Sequence, residues 1–178
     1  MFKLTEAPAL SAGLYQAPEL NIELLSNTPR LSLAPLKGET EKVKAALQQL
    51  GITLPSPTEA VLSPCMVLPL GQGQWLLQGD VPNLDALDGL VALTDQSDAW
   101  CGFALHGAKV PLLLERLVAN APFTYSCGKA VRTQIEHIGC WVVGLTDNRW
   151  QILGPRSSAQ SLFDALKHAV DAVDALAN

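Results

Sequence analysis

The period of hydrophobic and polar positions changes several times along the chain, and these changes predict a mixture of strands and helices. Leu31 and Leu33 alternate with polar or small neighbours, as in a half-buried strand. The apolar runs 65–70 and 74–78 are joined by Gly-Gln-Gly, which predicts a β-hairpin. By the same reasoning, further strands are predicted over 91–97, 100–105, 131–137, 140–145 and 150–153.

Three other stretches carry apolar residues at helical spacing. The first lies between Thr40, the expected cap, and Gly51, and the second begins next to Pro111, which suits a first helical turn. The third is the clearest, and Ser157 and Gln160 before it have capping-box spacing. Its apolar stripe includes Leu162, Leu166, Ala169 and Val173. A short helix is also predicted near 83–87.

The order of these elements predicts an α+β fold made of two split βαβ (ferredoxin-like) halves with antiparallel sheets. Residues 1–29 contain three prolines and little periodicity, so we expect an N-terminal arm or surface strand there. Residues 30–178 are expected to form a single compact domain with pseudo-repeated halves at 30–90 and 91–178. The similar runs QWLLQG at 74–79 and RWQILG at 149–154 suggest this weak repeat.

Composition narrows the possible partners of the chain. Charged residues make up 16% of it, against about 25% in an ordinary domain, and the mean hydropathy is +0.20. We therefore expect part of its apolar surface to contact another protein. A net charge of −5 without a Lys/Arg cluster argues against nucleic acid. The absence of a long apolar run and of a secretory signal predicts a cytoplasmic protein without a membrane span.

Residues with catalytic or metal-binding potential are scattered. The four cysteines have no C-x-x-C spacing, which predicts reduced and mostly buried thiols. Glu136 and His137 are adjacent, so on a strand they would point to opposite faces and could not cooperate. His168, Asp171 and Asp174 have the spacing of an ordinary solvated helix face. No catalytic, cofactor-binding or metal-binding residue is therefore predicted.

Arg156, Ser157 and Ser158 are the best candidates for a binding site, because they precede a predicted helix. Free backbone N–H groups, the helix dipole and a guanidinium could together hold a carboxylate or phosphate, from a small molecule or a partner chain. Helix capping explains the two serines without any ligand. Asp95 lies at a predicted strand end, where an Asx turn is the structural alternative to lining a cleft or an interface.

Three segments carry a resemblance to a known family. They are LTDQSDAW at 93–100 with the following Phe-x-Leu-x-Gly, RTQIEHI at 132–138 and PRSSAQSL at 155–162. Between Leu93 and Ala169 the chain resembles the sarcosine oxidase gamma subunit family. It is more distantly similar to folate-binding aminomethyltransferases, whose fold it is therefore expected to share. The Gly-Gly and paired acids of those enzymes are replaced here by IGCWVVG at 138–144.

The resemblance implies a non-catalytic gamma subunit with a structural or assembly role. Its partners would be the alpha, beta and delta subunits of a complex that oxidatively demethylates sarcosine to glycine. The resemblance also implies that FAD, FMN, NAD, zinc and tetrahydrofolate belong to those partner chains and that this chain holds no cofactor. The first alternative is a stand-alone tetrahydrofolate-binding or one-carbon-transfer protein, with Asp95 and Asp98 nearest the pterin. The second is a small-ligand sensor using Arg156 and the last helix.

Overall fold

A computed structural model describes residues 7–25, 28–118 and 126–176, and the structural statements below concern these residues. They form ten strands and three α-helices, with 3-10 turns at Asp85–Leu87 and Arg156–Ser158. In chain order the elements are β1 (Leu14–Ala17), β2 (Leu20–Leu25), β3 (Arg30–Pro35), α1 (Thr40–Gln49), β4 (Met66–Gly71), β5 (Gln74–Gln78), β6 (Val91–Asp95), β7 (Trp100–His106), α2 (Val110–Leu117), β8 (Ala130–Ile135), β9 (Ile138–Thr146), β10 (Arg149–Pro155) and α3 (Ala159–Leu176).

The strands form two sheets in which every pairing is antiparallel, so the predicted α+β class is confirmed. The four-stranded sheet has the order β4-β5-β3-β6. Its strands β3 and β4 are connected by α1 and separated by β5, which is the predicted split βαβ arrangement. The six-stranded sheet has the order β1-β2-β7-β10-β9-β8, and two strands, β10 and β9, lie between β7 and β8.

The predicted boundaries after residues 29 and 90 do not coincide with the points where the chain passes from one sheet to the other. β6 pairs with β3 in the four-stranded sheet, and the chain crosses to the six-stranded sheet in the turn between β6 and β7. β1 and β2, from the predicted arm, belong to the six-stranded sheet, where β2 pairs with β7. Residues 1–6 and 26–27 of the arm lie outside the described residues.

Four layers result from the way apolar side chains are divided between the faces of each sheet. On β4 and β5, Val67 and Leu77 pack toward α1, whereas Leu68 and Leu76 pack against the other sheet. This division follows from the period-two alternation of strand side chains. A third cluster, which includes Phe103 and residues of α2 and α3, covers the outer face of the six-stranded sheet. None of the described helices is long and apolar enough to cross a membrane.

Two local predictions need correction. Glu136 and His137 are not part of a strand: they form the two-residue turn of the β8–β9 hairpin, with φ of 45° and 68°. Both central residues of a type I′ turn need a positive φ, and this matches the twist of the flanking strands. Ser157 lies inside the 3-10 turn rather than at a helix cap. The side-chain Nε2 of Gln160 donates to Oδ2 of Asp164 at 3.0 Å, so Gln160 does not close a capping box.

Candidate functional site

A pocket of about 210 Å³ opens where the start of β3 meets the turn between β6 and β7. The 3-10 turn before α3 and the segment from Ala7 to Ala9 complete its wall. The polar or polarisable residues that line it are Thr28, Arg30, Ser97, Asp98, Trp100, Cys101 and Arg156. The pocket therefore collects side chains from both sheets and from the start of the last helix.

Arg30 is the unusual residue of this pocket, because only 2% of it is exposed. Its Nε donates to Oε1 of Gln78 at 2.9 Å, and its Nη1 donates to the Trp100 carbonyl at 3.2 Å. Its Nη2 is buried and finds no hydrogen-bond partner among the described residues. Desolvation by burial lowers the pKa of the guanidinium from its usual value. Within the part of the chain that the structure describes, one of the three guanidinium nitrogens is thus left without an acceptor.

A pair of glutamines extends this polar group between the sheets. Gln78 on β5 and Gln151 on β10 are both buried and exchange amide hydrogen bonds of 3.0 and 3.1 Å. Buried amides are stable only when they are paired, so this reciprocal arrangement satisfies both side chains. Because Gln78 also accepts from Arg30, the pair fixes the guanidinium where the two sheets meet.

Gly102 on β7 makes room for the guanidinium. A Cβ at this position would lie 3.1 Å from Nη2 of Arg30, which is tighter than ordinary van der Waals contact. Any larger residue would push the guanidinium away from its present position. The missing side chain of Gly102 therefore helps to define where Nη2 lies.

The turn between β6 and β7 closes over Arg30. Oδ1 of Asp95 accepts from the Ser97 amide at 2.9 Å, which is the predicted Asx turn. This backbone hydrogen bond, with one from the Ser97 hydroxyl, lowers the pKa of the Asp95 carboxyl. Oγ of Ser97 accepts in turn from the Arg30 amide at 3.0 Å, and the Gln96 side chain accepts from the Trp100 indole at 3.1 Å. Asp95 is therefore engaged in holding the turn.

The other predicted candidates are divided between two surfaces. Arg156 lines the pocket, where its Nη2 donates to the Ala7 carbonyl and its Nη1 lies 3.7 Å from Oδ1 of Asp98. Ser157 lines a neighbouring open depression of about 470 Å³, which Arg156 and Asp98 share. Ser158 lines neither of these two cavities. Only Arg156, of the four candidates, lies beside Arg30.

Sequence reasoning missed the residues at the centre of the site. Arg30 marked only the beginning of a strand, and Gln78 and Gln151 counted simply as parts of apolar strands. The available signal was a polar residue within each of the similar runs QWLLQG and RWQILG, at a position that the strands bury. One polar residue in an apolar strand does not reveal its partner, because that partner comes from another strand.

The pocket combines two guanidinium groups with a neutral thiol. Cys101 is buried, and desolvation raises its pKa, so the thiol stays protonated near neutral pH. It donates to the Pro155 carbonyl at 3.6 Å. Within the described ranges, no group of three or more His, Cys, Asp or Glu residues could hold a metal ion. The chemistry that this arrangement supports is the binding of an anion.

A second exposed feature is the outer edge of the four-stranded sheet. β6 is the last strand of this sheet, and four of its five residues are exposed, including Leu93 at 41%. Leu36 lies just after β3 and is 45% exposed. Among the strands that the structure describes, none pairs with the outer edge of β6. Such an edge offers unpaired backbone groups and apolar side chains to another chain.

Comparison with solved structures identifies the fold. The chain superposes on a chain of heterotetrameric sarcosine oxidase from Corynebacterium sp. U-96, in complex with pyrrole 2-carboxylate, with a TM-score of 0.74 and 20% identity. The match covers 93% of this chain and 91% of that chain. Aminomethyltransferase T of the glycine cleavage system from Bartonella henselae matches with a TM-score of 0.58 and 11% identity, over 83% of this chain and 45% of that one. No protein-family model and no curated protein sequence matches the chain. These structures confirm the expected fold.

Proposed function

We propose that this chain is the gamma-type subunit of a heterotetrameric sarcosine oxidase, with a structural or assembly role in the demethylation of sarcosine to glycine. The observation that carries the proposal is the fold match over nearly the whole of both chains. Because the matched chain is part of a heterotetramer and has nearly the same extent, the shared fold supports a subunit of a complex.

The partners in this proposal are alpha, beta and delta subunits in the cytoplasm. They would carry the FAD, FMN, NAD, zinc and tetrahydrofolate that the oxidation requires. The engagement of Asp95 in its own turn supports a non-catalytic role for this chain. The exposure of Asp98, at 95% of its side chain, argues against a buried carboxylate that could hold a pterin.

The exposed edge strand β6 is the surface that we assign to the partner chains. Leu93 and Leu36 are large apolar side chains next to unpaired strand backbone, and burying them would favour association. The low charged fraction of the chain agrees with a surface that is covered in an assembly.

Co-expression with candidate alpha, beta and delta chains tests the proposal. We expect all four chains to co-elute in size-exclusion chromatography, with sarcosine-dependent production of peroxide. The isolated chain should be folded and inactive, so turnover of sarcosine by this chain alone would contradict the proposal. If it elutes apart from an active remainder, the subunit role is wrong, and tetrahydrofolate binding becomes the next measurement.

A pair of substitutions tests the assigned surface. Leu93→Lys should weaken co-elution, because it puts a charge on the edge of β6. Leu112→Lys is the matched control, since Leu112 is 55% exposed on α2, in the layer at the other side of the molecule. Equal effects of the two substitutions would show that β6 is not the contact surface.

A further inference from the structure

Arg30 carries a buried charge that the described part of the chain does not neutralise. No carboxylate of the described residues forms an ion pair with it, and its acceptors are an amide oxygen and two backbone carbonyls, those of Trp100 and Ser97. Removing a guanidinium from water costs several kcal/mol, and buried charges are normally paired with an opposite charge. Binding of an anion beside Arg30 would therefore neutralise this charge.

The nearby acidic groups of the described residues do not supply this anion. The Asp95 carboxylate accepts from the Ser97 amide, and Asp98 lies beside Arg156 with 95% of its side chain exposed. Burial raises the pKa of the Cys101 thiol, which donates to a carbonyl and so is not a thiolate counter-ion. Nη2 of Arg30 is itself buried, but Arg30 lines an open pocket, so a molecule that enters the pocket comes next to the guanidinium.

We propose that this pocket binds the carboxylate of a small organic acid, with Nη2 of Arg30 as the buried donor and Arg156 as a second cation. At about 210 Å³ the pocket far exceeds the roughly 15 Å³ that one water molecule needs. Leu24, Leu25 and Trp100 give it an apolar wall, which suits the carbon skeleton of an organic acid better than a fully polar anion such as phosphate. The inference does not depend on the proposed subunit role.

Titration of the isolated chain with sodium acetate and sodium propionate, followed by the backbone amide resonances of Ser97 and Cys101, tests the proposal. Sodium chloride at equal ionic strength is the reference. We expect saturable shifts with both acids, tighter binding of propionate, and only weak binding of phosphate. A charge-assisted hydrogen bond contributes enough that Arg30→Met should lower the affinity roughly tenfold or more.

Further variants keep the test decisive if Arg30→Met does not fold. Arg156→Gln removes the second cation at a partly exposed position, and Gly102→Ala puts a methyl group 3.1 Å from Nη2 of Arg30, so both should weaken binding. Arg149→Gln is the matched control, because Arg149 is exposed at the start of β10 and lines no wall of the pocket. Its affinity should equal that of the unaltered chain.

Three results would overturn the proposal. The first is the absence of saturable shifts with both acids, and the second is tighter binding of phosphate than of propionate. The third is loss of propionate binding when the chain is purified in complex with its partners. That result would show that the pocket holds an acidic side chain of a partner instead of a small organic acid. Failure to assemble a complex would contradict the subunit role alone and leave the titration of the isolated chain as the test of the pocket.

Discussion

Replacing Gly107 with alanine tests whether the backbone after β7 approaches the turn between β1 and β2 as closely as the structure shows. Gly107 follows β7 directly and has a φ of +129°, which side chains with a Cβ rarely adopt. A Cβ there would lie 2.0 Å from the carbonyl oxygen of Glu19, in the turn between β1 and β2. Because the obstructing atoms belong to the backbone, they cannot rotate away, and one of the two segments must move.

The expected loss of stability has two parts. An L-residue held in such a backbone conformation costs about 1–3 kcal/mol. Movement of the Glu19 carbonyl also weakens its hydrogen bond with the Lys109 amide, at 3.3 Å, which contributes about 0.5–1.5 kcal/mol. We therefore expect the free energy of unfolding to fall by about 1.5–4.5 kcal/mol. For a chain of this size that corresponds to a fall in Tm of roughly 3–18 °C.

Urea denaturation followed by tryptophan fluorescence and circular dichroism measures this loss, with comparison of the m-values. Gly139→Ala is the matched control, because Gly139 lies on β9 with an ordinary φ, and a Cβ added there would meet no heavy atom within 4 Å. It should change the free energy of unfolding by less than about 0.5 kcal/mol. A loss below about 1 kcal/mol for Gly107→Ala, or equal losses for both variants, would refute the reasoning.

Three further predictions concern the interior and the turn. Gln151→Leu should lower the free energy of unfolding by about 1–3 kcal/mol, because it leaves the buried Nε2 of Gln78 without its acceptor, although Oε1 of Gln78 still accepts from Arg30. A double-mutant cycle of Gln78 and Gln151 should show coupling of at least about 0.5 kcal/mol, and additive losses would contradict the pairing. A maleimide should label Cys127, which is exposed, in the folded chain. Cys140 is buried, and burial raises its pKa to about 12, so it should react only after unfolding. Mass spectrometry of the labelled peptides distinguishes the two cysteines. In an NMR pH series, the pKa of the Asp95 carboxyl should lie below the usual value of about 3.9. The hydrogen bonds of this carboxylate should therefore stabilise the fold above about pH 3.9, and this contribution should be lost as the pH falls through the lowered pKa. A midpoint at or above 3.9 would contradict this last prediction.

Local structure follows closely from the sequence where a segment has a clear period of its own. For the hairpin of β4 and β5, and for α1 from Thr40 onward, the predicted bounds lie within one or two residues of the observed ones. Strand partners are predicted less well. The sequence pattern places β6 at the start of the second half of the domain, yet it is the edge strand of the four-stranded sheet. Alternation within one strand does not indicate which strand pairs with it.

The candidate site shows the same division. Arg156 is recognisable from its place before a helix, and Asp95 from a turn whose hydrogen bond spans two residues. Arg30 is not, because its contacts with Gln78 and Ser97 join positions 48 and 67 residues away. A buried arginine and an exposed one look alike in a sequence.

By itself, the sequence determined the types of the elements, the α+β class and the apolar faces, because hydrophobic periodicity and turn residues act over a few neighbouring positions. Only the tertiary structure decided how the ten strands of the described residues divide into two sheets and which polar side chains are enclosed between them. Both outcomes depend on contacts between distant segments, whose free energies are realised only when the sheets pack together. The pocket beside Arg30 exists for that reason, since its walls come from segments that meet only in the folded chain.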